Sequence, residues 1–198
     1  MKLLALSALS SLPFIFCTAT NAQTQGSWRI NSQESTVTFV TFRSGHIPAT
    51  GFFSNVSGKI SFDGKKMQTA SVEASIPLAT INTGMPKRDS DLKSKGFFDV
   101  QKFLTANFKS RGIRVSDEKR FIMSGELDLH GVKKIVDLAV DTPVLSVQKG
   151  KEHLRATAAT LLTPADFNLS LLKLHPEGTI KVDLVELEFV ISAEKESK

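Results

Sequence analysis

The stretch Phe121-Ile122-Met123-Ser124-Gly125-Glu126-Leu127-Asp128-Leu129-His130-Gly131-Val132-Lys133-Lys134-Ile135-Val136-Asp137-Leu138-Ala139-Val140-Asp141 decides the fold class. Phe121, Met123, Gly125, Leu127 and Leu129 fall on one face, and Glu126, Asp128 and His130 on the other. After a turn at Gly131, Val136, Leu138 and Val140 repeat the apolar row against Asp137 and Asp141. Successive side chains of a strand point to opposite sides, so this period of two gives one buried and one wet face. An antiparallel sheet with one solvated side has that pattern.

The same alternation runs outward in both directions. Trp28 and Ile30 open the domain, and Val37, Phe39 and Thr41 alternate with Thr36, Thr38 and Val40. Gly58 to Phe62 alternates up to a turn at Asp63-Gly64, and Val72, Ala74 and Ile76 alternate with Ser71, Glu73 and Ser75. Ala106, Phe108 and Ser110 follow, then Ile113 and Val115; later come Leu154, Ala156 and Ala158. The last strand reads Ile180, Val182 and Leu184 inward and then Val185, Leu187 and Phe189, a phase slip that calls for a β-bulge near Leu184-Val185. Seven or eight such strands leave two exposed edges unless the sheet closes, and closure into a barrel removes them. A two-sheet sandwich satisfies the same pattern. Eight strands in a barrel enclose room for side chains or for one small ligand.

One internal stretch reads as helix: Lys87 to Lys95, between Gly84 and Gly96, with Asp89 or Ser90 as its cap and Lys93 and Lys95 suiting its C-terminal end. A second short turn is expected at Pro164-Ala165-Asp166-Phe167. No repeat or linker divides the chain.

The first residues read as a secretory leader. Lys2 precedes an apolar run from Leu3 to Phe16, and small residues up to Ala22 supply a cleavage site. The expected organisation is a signal peptide over residues 1–22 and one domain over 23–198, exported to the periplasm. Cys17, the only cysteine, lies inside the leader, which removes disulfides, zinc–cysteine sites and a cysteine nucleophile from the mature domain.

The chain is mildly basic, with a formal net charge of +5 and no dense Lys/Arg block. Nucleic acid is therefore not an expected partner; the pairs Lys65-Lys66, Lys133-Lys134 and Lys149/Lys151 read as solvated turn ends, with contact to an anionic membrane surface as the alternative. A homodimer is equally compatible with the sequence. His46, His130, His153 and His175 stand far apart with no short-range ligand motif, and no nucleophile-elbow serine or phosphate loop is present. No metal, cofactor or catalytic set is expected.

Fourteen phenylalanines and no tyrosine occur, two of them (Phe14 and Phe16) in the leader. Phenylalanine supplies apolar area with no polar group to satisfy, which suits a dry core or a lipid tunnel equally. The candidate inward set is Phe39, Phe53, Phe62, Ile76, Phe98, Phe108, Phe121 and Leu127. Arg88, Asp89 and Asp91 are candidates for a polar mouth; the alternative is an Arg-Asp interaction that pins the helix over the barrel end.

Several motifs together resemble the YceI-like family. They are Ser75-Ile76-Pro77-Leu78-Ala79-Thr80-Ile81-Asn82-Thr83-Gly84, Arg88-Asp89 with Leu92, Gly96-Phe97-Phe98-Asp99-Val100 and Phe108-Lys109-Ser110. Trp28-x-Ile30, Gly51-x-Phe53, Gly58-x-Ile60-x-Phe62-Asp63, Gly125-Glu126-Leu127, Gly131-Val132-x-Lys134 and Asp166-Phe167 extend the resemblance along nearly the whole domain. It implies an all-β fold: a single antiparallel eight-stranded lipocalin-like barrel with a short capping helix. It also implies a non-catalytic periplasmic binder or carrier of a polyisoprenoid or other isoprenoid-tailed lipid. The competing readings are a quinone-binding accessory protein of envelope redox or stress, a hydrolase acting on an isoprenoid through Asp89 or Asp91, and a filled structural barrel. Relatives often carry His where Asp91 stands, Pro at Leu104 and Gly at Asn168. The first of these departures moves expected recognition from the head group to the tail.

Overall fold

The computed structural model describes residues 26–42, 49–117, 119–169, 173–175, 178–180 and 184–196. The leader expected over residues 1–22 lies outside them. The strands are β1 (Gly26–Ile30), β2 (Thr36–Phe42), β3 (Thr50–Phe53), β4 (Ser57–Phe62), β5 (Ser71–Pro77), β6 (Thr105–Val115) and β7 (Arg120–Leu129). They continue with β8 (Val132–Asp141), β9 (Val144–Gln148), β10 (Lys151–Leu162), β11 (Lys173–His175), β12 (Gly178–Ile180) and β13 (Leu184–Lys195). Helix α1 spans Pro86–Lys93, and β11 and β12 form a separate hairpin.

Every neighbouring pair in the main sheet is antiparallel, and β13 closes it by pairing with β10 on one edge and with β1 and β2 on the other. Three staves of the wall are each made of two strands in line. Residues 31–35 loop out between β1 and β2, and there the fully buried Ser35 stands in for backbone. Its hydroxyl donates to Ser192 O (3.2 Å) and accepts from Ser192 N (3.0 Å). Asn55 (φ 58°) breaks the stave of β3 and β4, and Pro143 the stave of β8 and β9. The result is a closed eight-stave barrel in meander order, in which β9 is laddered on one edge only and β8 meets β10 over a short stretch.

The last strand differs from expectation. Ile180 belongs to β12, residues 181–183 lie outside the described set, and β13 runs from Leu184 in unbroken register with β2. No bulge occurs at Leu184-Val185; Leu184 is 40% exposed, and Val185, Leu187 and Phe189 face inward. The change of phase separates two elements. A true register shift lies in β6 instead, between Ser110 and Gly112.

The two barrel ends differ. At one end short turns join β6 to β7 and β9 to β10, residues 63–70 with a single 3-10 turn over Met67–Thr69 join β4 to β5, and the interior is filled by Trp28, Phe62 and Met67, all buried. Trp28 Nε1 donates to Phe62 O at 3.0 Å, so the indole is satisfied without water. Burial of such side chains stabilises by roughly 1.5–3 kcal/mol each, and with no disulfide among the described residues this burial holds the fold. At the other end lie the long connections: residues 78–104 with α1, and the turn over Pro164–Phe167 where one was expected.

Helix α1 starts at Pro86, whose fixed φ suits a first helical position. Asp89 is not its cap. Its carboxylate reaches back and accepts from Thr83 N (2.8 Å) and Thr83 Oγ1 (2.6 Å), tying the helix to the chain that enters it. That chain is itself stitched to the wall, with Phe52 N donating to Asn82 O and Asn82 N to Phe52 O, both at 2.9 Å.

Candidate functional site

The barrel interior holds a cavity of about 320 Å³, within the size range of small-molecule pockets. Among the described residues, the polar side chains in its wall are Thr41, Thr83, Arg88, Asp91 and Thr160. The space exists because much of the inward row is small: Ala74, Ala106, Ala156 and Ala158 line it where larger residues would fill it. Glycines add to this. The Phe39 ring lies over Gly51 and the Phe108 ring over Gly125, where a Cβ would come within 2.5 and 2.3 Å of ring carbons. Each aromatic is thereby laid flat along the wall.

The eight apolar candidates separate into two groups. Phe39, Phe53, Ile76, Phe98, Phe108 and Leu127 line the cavity together. Phe39 and Phe53 stack tilted at 5.8 Å, and Phe53 meets Phe98 edge-on at 5.9 Å. Phe62 and Phe121 lie outside the cavity wall. Both belong to inward rows, but at the filled end, where Phe62 caps Trp28 and Phe121 opens β7.

The cavity reaches solvent beside α1. Arg88, half-buried, and Asp91, exposed, are at its rim, with Leu92, Phe97 and Phe98 beneath them. Arg88 acts on the neighbouring Asp89 through its charge, and the hydrogen-bonded tie that holds the helix is the link from Asp89 to Thr83. Asp89 does not line the cavity. The Thr83 hydroxyl holds its carboxyl below the usual range against the opposing effect of burial, with the Thr83 amide and Lys93 adding to the shift. Among the described residues no three His, Cys, Asp or Glu side chains converge as metal ligands would.

Three features of the site escaped the sequence reading. Leu78 and Ile81 line the cavity from the connection after β5, and Phe167 and Leu169 from the connection after β10. The inward alanines of β10 were read as strand, but the space they leave was not. Small residues repeated on an inward row are the signal that finds such space.

Fold and cavity together define a closed antiparallel β-barrel with a hollow apolar interior. Residues 28–193 match the YceI-like domain, and the chain belongs to that family. Among its relatives is the UPF0312 protein of Azotobacter vinelandii, 32% identical over 104 residues, 51% of this chain and 54% of that one. The UPF0312 protein of Pseudomonas fluorescens Pf-5 is 34% identical over 106 residues, 50% of this chain and 54% of the relative. The chain thus spans about half the length of the relatives it matches. In fold it is similar to Burkholderia cenocepacia BcnA (TM-score 0.69, 20% identity, covering 82% of this chain and 98% of that one). It is also similar to a polyisoprenoid binding domain from Saccharophagus degradans implicated in plant cell wall breakdown (TM-score 0.65, 20% identity, covering 87% and 99%).

Proposed function

We propose that this chain is a non-catalytic binding or carrier protein for a single-tailed, isoprenoid-type lipid whose tail lies in the barrel. The observation that carries this reading is the cavity of about 320 Å³ with an almost wholly apolar wall. Water in such a space finds few partners, whereas each buried methylene contributes about 0.8 kcal/mol and a branched C5 unit roughly 3 kcal/mol before ordering costs. The likeness in fold to a polyisoprenoid binding domain supports the same ligand class.

In this reading Phe39, Phe53, Ile76, Phe98, Phe108 and Leu127 hold the tail. Arg88 and Asp91 meet the head group at the rim, and Asp89 positions the helix that carries them. The protein works in the periplasm after its leader is removed.

The test is an equilibrium titration of the purified mature protein with a fluorescent geranylgeranyl probe. Saturable binding that is lost when Ala158→Phe fills the cavity supports the reading. Binding that ignores this substitution contradicts it.

A further inference from the structure

The barrel wall is not equally sealed around its circumference. β8 pairs with β7 along its full length, from Leu129↔Val132 to Arg120↔Asp141. On its other edge it pairs with β10 only at Ala139↔Ala159 and Val140↔Ala158. β10 continues beside β13 as far as Leu162↔Val185. Towards the end that carries α1, β8 and β10 therefore part, and the wall has a seam with no backbone ladder.

Side chains close that seam. Thr160 Oγ1 donates to Asp137 O at 2.8 Å, and Lys134 Nζ lies 2.8 Å from Asp166 Oδ1. Between them sits the turn over Pro164–Phe167, which drives the Phe167 ring into the gap. The ring is 2% exposed and packs with Leu162, Leu169, Val136 and Leu187. Asn168 (φ 55°) turns the chain back, and His130 Nδ1 lies 3.3 Å from Phe167 O. This second apolar cluster plugs the wall.

Outside the seam runs a groove of about 600 Å³, where Ile135 (54% exposed) and Leu161 (59% exposed) lie among the charged side chains of Lys134, Asp137, Asp166 and Glu186. Four residues, Val136, Thr160, Leu162 and Phe167, line both this groove and the interior cavity. Groove and cavity are thus separated by one layer of side chains, chiefly the Phe167 ring. The latches over it are of the weak kind: Lys134 and Asp166 are 42% and 53% exposed, and such pairs contribute little in water.

From this continuity we infer that the groove between β8 and β10 is a second lipid-tail site, occupied in transit, with Phe167 the plug that swings aside as the tail passes into the barrel. The inference rests on the lipid-binding reading above. It adds a lateral route, distinct from the rim at Arg88 and Asp91, by which a tail slides in sideways without its head group crossing the cavity.

Two measurements on the mature chain test it. The first is stopped-flow release of the geranylgeranyl probe into acceptor vesicles. Asp166→Asn is expected to speed release by up to about fivefold and Phe167→Leu by more, while Met85→Ala, at the start of α1 and outside the cavity lining, stays within about twofold of the parent. The second needs no lipid: labelling of a cysteine placed at Ala158 by a small methanethiosulfonate, which the same two seam variants are expected to accelerate. Asp166→Asn leaves the packing of Phe167 in place, so it reads the seam even where Phe167→Leu folds poorly. Acceleration by Met85→Ala with none from either seam variant would overturn the inference. Absence of probe binding to the parent would sink the lipid reading instead, and the thiol labelling would still decide whether the seam opens.

Discussion

Gly125 lies beneath the ring of Phe108: a Cβ on Gly125 would come 2.3 Å from Phe108 Cζ and 2.8 Å from Lys109 O. The two residues sit on neighbouring strands of the barrel wall, and Phe108 lies flat along the cavity because Gly125 has no side chain. Replacing Gly125 by Ala forces both the ring and the backbone opposite to shift. Overpacking of this kind costs about 1–3 kcal/mol, so Gly125→Ala is expected to lower the urea midpoint accordingly. Adding Phe108→Leu relieves the ring clash and leaves the one with Lys109 O, so the double variant recovers only part of the loss.

Ala158 tests whether the space itself matters. It lines the cavity from β10, between Val140 and Phe189 on the neighbouring strands. Ala158→Phe is expected to keep stability within about 1 kcal/mol while lowering affinity for a geranylgeranyl probe at least about tenfold. Parallel denaturation and titration curves check both halves of that expectation.

On the proposed lipid-binding reading, tail and head group make separable contributions. Arg88 stands half-buried at the cavity rim, its charge felt by Asp89, whereas Leu127 is part of the apolar wall. For an uncharged isoprenoid, Arg88→Gln is expected to change affinity less than about threefold. Leu127→Ala, which removes several tail contacts, is expected to weaken it about tenfold or more. Isothermal titration of the two variants against one ligand decides the order.

The link between Asp89 and Thr83 gives the α1 region a pH dependence of known sign. Donation by the Thr83 hydroxyl lowers the folded-state pKa of Asp89. A carboxyl depressed in this way adds stability above its unfolded pKa, near 3.9, and that stability is lost as the pH falls through the lower folded value. The Thr83 amide resonance is expected to titrate with a midpoint below 3.9, and Asp89→Asn to abolish that titration. A midpoint at or above the unfolded value would show that the hydrogen bonds do not hold the carboxylate.

Alternation told which face each residue occupies, and told it well: Met123, Gly125, Leu127, Val136, Leu138 and Val140 all point inward or lie buried. It did not tell depth along the barrel. Phe62 and Phe121 share inward rows with cavity residues yet lie at the filled end, because strand period carries no information about which end is plugged. Phase changes were ambiguous for a related reason. One near Leu184 separates β12 from β13, and one between Ser110 and Ile113 is a bulge within β6; on paper they look alike. The roof residues Leu78, Ile81 and Phe167 lie in connections, where no periodicity marks an inward side chain. Asn168 occupies the left-handed conformation that glycine favours and that asparagine tolerates.

Lipid occupancy of the protein as its own cell makes it is the most direct measurement. The mature chain is purified without detergent and examined by native mass spectrometry, with organic extraction of the same sample. The expected result is one single-tailed, isoprenoid-type lipid bound per chain, released on unfolding and missing from the Ala158→Phe variant. A chain that carries no lipid, and takes up none when offered geranylgeranyl and longer polyprenyl alcohols, would contradict the lipid-binding reading.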